Sequence, residues 1–174
     1  MPISELHSAV GEDLFLRNMR LLWRFDAELA YRVDAVADEE RLPTEPARSG
    51  AITARVTPSG GAPVYLHSRH DPIAEAEGWA KSVPLDDTYC FILCGLGLGH
   101  HAKALFARLK GDAILICVEP SLATLSTALA CVDLTDLLGS QRFILLIDNE
   151  KARLHAKLQP FNTLMMLGTQ VLKH

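Results

Sequence analysis

Tyr89-Cys-Phe-Ile-Leu-Cys94 runs directly into Gly95-Leu-Gly97-Leu-Gly99-His-His101-Ala102. An unbroken apolar run of strand length reads as a strand covered on both faces, and the glycines that follow read as a turn into a helix. Gly97-x-Gly99-x-x-Ala102 has the spacing of a nucleotide-binding turn. In such a turn the first glycine permits the tight bend, the second leaves room for a ligand, and a small third residue lets helix and strand approach. A second apolar run, Ala113-Ile-Leu-Ile-Cys-Val118, ends on Glu119. That is roughly twenty residues past the turn, where folds of this kind set a ribose-binding carboxylate.

A third apolar run, Phe143-Ile-Leu-Leu-Ile147, ends in Asp148, and helical patterns separate the three. Regular alternation of strand and helix predicts an α/β chain: a Rossmann-like, doubly wound, mainly parallel sheet, preceded by an N-terminal helix and a β-hairpin. The ligand-contacting candidates are Gly95, Gly97, Gly99, His100, Glu119 and Asp148. Glu119 would accept from ribose hydroxyls and Asp148 would meet a base or its amino group. His100 and His101 open the helix behind the glycines, where the positive end of the macrodipole favours neutral imidazoles, and solvent exposure is expected for both. No spacing argues for a Ser/His/Asp triad, so catalytic residues stay unassigned.

Upstream, Leu14, Phe15, Met19, Leu22, Phe25, Leu29, Val33 and Val36 recur at helical steps, predicting one long amphipathic helix over about 11–39. Its apolar stripe must be buried, in this chain or against a second copy in a homodimer. Arg41 to Gly50, with two prolines and a glycine, reads as a linker. Ile52 to Val56 and Val64 to Leu66 flank turn chemistry and predict a hairpin. Asp71-Pro72 sets a capping side chain before a proline at the first helical position, predicting a helix to about Ser82. Arg69 would pair with a phosphate or with Glu75, and His67, Ser68 and His70 would form a network around that cap. Ser121 can cap a helix expected through Cys131, and a helix is expected over Lys151 to Leu158. Phe161 to Leu172 fits a strand, a helix or both. These boundaries divide the chain into 1–48, a helix and linker; 49–84, hairpin and helix; and 85–174, a Rossmann-like nucleotide-binding-type domain.

Of 174 residues, 49% are hydrophobic, enough for a packed core. The formal charge of −4 gives no basic field, so nucleic acid is not an expected partner. No apolar segment reaches membrane-spanning length and the N-terminus lacks the pattern of a signal peptide, so a cytoplasmic location is expected. Cys90, Cys94, Cys117 and Cys131 lie in or beside apolar runs without ligand-like spacing and read as core residues, with no metal expected.

In order along the chain, Leu66-His-Ser-Arg-His-Asp-Pro-Ile-Ala-Glu-Ala-Glu77, Cys94-Gly-Leu-Gly-Leu-Gly-His100 and Val118-Glu-Pro120 resemble the motility accessory factor family of bacteria. The resemblance runs from about Tyr65 to Asp148. It implies a role in glycosylating flagellin with nonulosonic acids and a central domain related to archaeal 6-hydroxymethylpterin pyrophosphokinase. It does not name the ligand of the glycine turn, for which the turn itself suggests a nucleotide or nucleotide sugar, or S-adenosylmethionine. Gly95, Gly97, Gly99 and Glu119 carry over as motif positions. The chain stops at His174, before the second glycine-containing segment of the catalytic domain, and is therefore expected to be the N-terminal portion of such a transferase. An S-adenosylmethionine-dependent methyltransferase is the alternative from the residues themselves, with Asp148 near adenine. Against it, Cys94 stands where an acidic residue commonly holds the amino-acid end. NAD would require a second nucleotide half. A non-catalytic scaffold or oligomerisation module is the reading without a ligand.

Overall fold

A computed structural model describes residues 3–58, 61–147 and 151–173, with side chains in the first helix described from residue 14 onward. Asp148 falls outside the described residues. Helix α1 spans Ile3–Phe25 and α2 spans Ala27–Asp34. The single long helix expected over 11–39 is thus two. Asp26 breaks it, because its carboxylate turns back to accept from the Leu29 N–H at 3.1 Å and caps a new helix.

Next come β1 (Thr44–Pro46), β2 (Ile52–Val56) and β3 (Val64–Tyr65), a three-stranded antiparallel sheet in that order. The expected hairpin is β2–β3. β1 lies in the stretch read as a linker, and its Pro46 is tolerated because the strand is an edge. Helix α3 (Pro72–Ser82) begins as predicted, with Asp71 Oδ1 accepting from Ile73 N at 3.1 Å and Ala74 N at 3.0 Å.

The second sheet holds β4 (Cys90–Cys94), β5 (Ile114–Val118), β6 (Phe143–Leu146) and β7 (Thr169–Lys173), all parallel, in the order β6-β5-β4-β7. Helices α4 (His100–Phe106), α5 (Leu122–Cys131) and α6 (Thr135–Leu138) connect the first three strands. Helices α7 (Lys151–Leu158) and α8 (Asn162–Leu167) lead back past β4 to β7. The chain therefore winds outward from β4 in both directions, as in a Rossmann-like fold. The ambiguous tail is both helix and strand. Gly168 makes that junction: its carbonyl accepts from Tyr89 N and Cys90 N, and a Cβ there would stand 2.4 Å from the Asp87 carbonyl oxygen.

Strand side chains divide between two cores. Phe91, Leu93, Leu115, Cys117 and Leu145 face Leu105, Leu125, Leu129, Met19, Leu22 and Val33, so α1, α2, α4 and α5 cover that side. Cys90, Ile114, Ile116, Ile144 and Leu146 face Leu154, Leu158, Phe161 and Leu164 from the α7–α8 region. The described buried face of α1, including Met19 and Leu22, is used within this chain. Fully buried Asn18 fastens α1 to the end of α5: its amide donates to the carbonyls of Leu129 (2.8 Å) and Val132 (2.7 Å), and its oxygen accepts from Leu134 N (2.9 Å).

Candidate functional site

Five consecutive backbone N–H groups, residues 95 to 99, form the corner between β4 and α4, and three glycines there adopt positive φ: Gly95 at 93°, Gly97 at 54° and Gly99 at 91°. In a phosphate-binding turn such groups point at the ligand. Here the protein supplies an acceptor for each of the five. Gly95 donates to the Val118 carbonyl at 2.8 Å and Gly99 to the Leu96 carbonyl at 2.9 Å. Leu96 and Gly97 donate to Glu119 Oε2 at 3.0 and 3.3 Å, and Leu98 donates to His67 Nε2 at 2.8 Å.

Glu119 leaves the end of β5 where the spacing predicts, beside the glycines, and is 6% exposed. Its second oxygen, Oε1, accepts from Ser121 N at 3.0 Å, so one carboxylate ties the glycine corner to the start of α5. Three N–H groups around one carboxylate satisfy an anion that would otherwise be costly to bury. The space beside Gly99 is also filled: a Cβ on this residue would lie 2.6 Å from Leu134 Cδ2. The glycine that the sequence pattern assigns to close approach of a ligand instead admits a leucine. The phosphate of a nucleotide therefore does not fit at these N–H groups in this arrangement.

His67, His100 and His101 are all buried, contrary to the exposure expected of two helix-start histidines. The physical reason is the cover over α4: α3 packs against it and brings Trp79 edge-on to His101 at 5.1 Å, while His67 stacks on His101 at 5.4 Å and meets His100 edge-on at 4.9 Å. The Leu98 N–H bond requires a bare Nε2 on His67, and His100 Nε2 donates to the Ile52 carbonyl at 2.9 Å. The histidine cluster thus joins the glycine corner to the small sheet. Sequence alone gave no sign that His67 belongs to it, since its partner stands thirty-one residues away. Among the described residues, no group of three or more His, Cys, Asp and Glu side chains is arranged to hold a metal ion, and no helix is long and apolar enough to cross a membrane.

Burial holds the His100 imidazole below its ordinary range; the Ile52 carbonyl and Glu75 oppose that and Lys103 reinforces it. The unfolded chain takes up a proton as pH falls through about 6.5, whereas folded His100 stays neutral to lower pH. Stability contributed by this residue is therefore present above about 6.5 and is lost as pH falls toward the folded value. Urea midpoints measured from about pH 7.5 down to 5.5 should fall, and His100→Gln should make that dependence shallower. An unchanged slope in the variant would assign the dependence to other groups.

Arg69, expected to meet a phosphate or Glu75, lies 3.7 Å from Glu45 and over the Tyr65 ring, while Glu75 accepts from Ser68 N at 2.8 Å. Two cavities, of about 500 and 610 Å³, lie elsewhere, and neither is lined by Gly95, Gly97, Gly99 or Glu119. The smaller one includes His100, with Ile73 and Glu77 of α3 and Asp133 after α5.

No family model and no curated protein matches this sequence. Among solved structures, the chain is similar to MAf glycosyltransferase from Magnetospirillum magneticum AMB-1, with a TM-score of 0.64 at 14% identity. The match covers 94% of this chain and 32% of that one. Likeness at this identity is likeness of fold alone. This chain spans about a third of the length of that glycosyltransferase.

Proposed function

We infer that this chain is an accessory, Rossmann-like domain of a glycosyltransferase of the motility accessory factor type. In this reading it contributes framework, and sugar transfer to an acceptor such as flagellin belongs to other parts of the enzyme. The observation that carries the accessory role is the Glu119 carboxylate, which takes up N–H groups of the glycine corner that a nucleotide phosphate would need. The quoted motifs around His67, the glycines and Glu119, together with the fold of the glycosyltransferase neighbour, support the assignment to this type.

Backbone amide NMR shifts provide the test. S-adenosylhomocysteine, NAD, ATP and a CMP-linked sugar, each taken to millimolar concentration, should leave the amides of Leu96, Gly97 and Leu98 where they are. Saturable movement of those three amides with any one ligand would replace the accessory reading by ligand binding at the corner. Movement with S-adenosylhomocysteine alone would favour the methyltransferase.

A further inference from the structure

We propose a second site, on the small sheet, that takes the phosphate group of a small phosphate monoester. Two backbone hydrogen bonds clamp the loop after β1 to the segment before α3: Arg48 N donates to the Arg69 carbonyl at 3.0 Å and Ser49 N to the His70 carbonyl at 2.9 Å. Gly50, at φ +90°, closes the tight turn that returns the chain from this clamp into β2. The clamp sets Arg48, Arg69 and His70 side by side around a cavity of about 270 Å³, with Glu45 as the acid in its wall.

Glu45 is already engaged. It accepts from the Tyr65 hydroxyl at 2.9 Å and lies 3.8 Å from the Arg55 guanidinium and 3.7 Å from that of Arg69. Arg69 also lies over the Tyr65 ring, 4.8 Å from its centre, which orients the guanidinium while leaving N–H groups at its rim. Among the described residues, the Arg48 guanidinium and the His70 ring make no hydrogen bond or ion pair, although both line the cavity. Asp71 and Glu75, the next acids along the chain, do not line it and accept from backbone N–H groups instead.

Charge decides the ligand class. Of the side chains that line the cavity, Arg48 and Arg69 against Glu45 leave a formal excess of one positive charge (two minus one), with His70 counted neutral. Arg55, which does not line it, pairs with Glu45 at 3.8 Å and offsets that acid, so both lining guanidinium charges are left for a ligand. A phosphate monoester carries about −1.5 to −2 at neutral pH and offers three acceptor oxygens to planar guanidinium donors, so it matches both the charge and the geometry. A singly charged carboxylate would leave one guanidinium uncompensated. This site is independent of the glycine corner and shares no residue with it.

The experiment titrates the full chain with inorganic phosphate, AMP and acetate at low ionic strength, following backbone amides. Phosphate and AMP should move the amides of Arg48, Ser49 and His70 saturably. Arg48→Ala with Arg69→Ala should weaken that response by at least about tenfold, and Arg48→Lys by a few-fold, because a point charge replaces a planar fork. Both arginines are exposed, so the double variant should keep the wild-type spectrum elsewhere. Response to phosphate but not AMP would mark an adventitious ion only and overturn the proposal. No saturable shift, equal affinity in the double variant, or an equal response to acetate would overturn it too. Because the Leu96 to Leu98 amides are read in the same spectra, failure here is distinguishable from failure of the accessory reading.

Discussion

Replacing Glu119 by alanine is expected to lower the stability of the folded chain by about 3–5 kcal/mol, since three buried or half-buried N–H groups lose their acceptor and each such loss costs about 1–3 kcal/mol. The groups are those of Leu96, Gly97 and Ser121. Glu119→Gln should cost roughly half as much. Its amide oxygen can serve one side of the corner, but its NH₂ then faces a donor on the other. Urea denaturation followed by far-ultraviolet circular dichroism measures both variants. If Glu119→Ala stays within about 1 kcal/mol of wild type, the carboxylate is not what holds the corner, and the account of an internally satisfied turn falls with it.

Asn18→Ala should come next, at about 2–4 kcal/mol. The asparagine is fully buried, and its loss leaves the Leu129 and Val132 carbonyls and the Leu134 N–H without their shared partner. Asn18→Asp preserves shape but replaces the donor with an acceptor facing two carbonyls, so it should be no milder than the alanine change. Trp23 lies on the same helix and Trp79 on α3, so tryptophan fluorescence during denaturation gives a second probe beside circular dichroism. Indifference of the urea midpoint to both substitutions would show that α1 docks on α5 by apolar contact alone.

Strands β4, β5 and β6 were readable because each is an unbroken apolar run, which only a sheet covered on both faces can accommodate. The caps at Asp71 and Ser121 were readable because a short polar side chain before a helical pattern has a specific local partner. β1 and β7 were not. Both are edge strands, Pro46 disguises the first, and only Leu172 of the last is buried, so neither carries a strong pattern. The break at Asp26 was hidden because the apolar spacing continues across it while the carboxylate changes the backbone.

At the candidate site, spacing placed Glu119 beside the glycines correctly but was silent about its partners. A carboxylate at that position can face a ribose or the turn's own N–H groups, and one-dimensional distance is the same for both. The roles of Asn18 and His67 depend on contacts more than a hundred and about thirty residues away along the chain, respectively, and no local signal encodes them.

A side chain anchored by the adjoining strand confronts the amides it serves at an effective concentration on the order of millimolar or higher. A dissolved metabolite must displace that tethered rival before it can bind, and must leave a buried anion without partners when it does. The corner thereby keeps one shape whether the surrounding solution is rich or poor in small molecules. Heating the chain with and without such compounds should accordingly trace the same melting curve wherever their only route in is this corner.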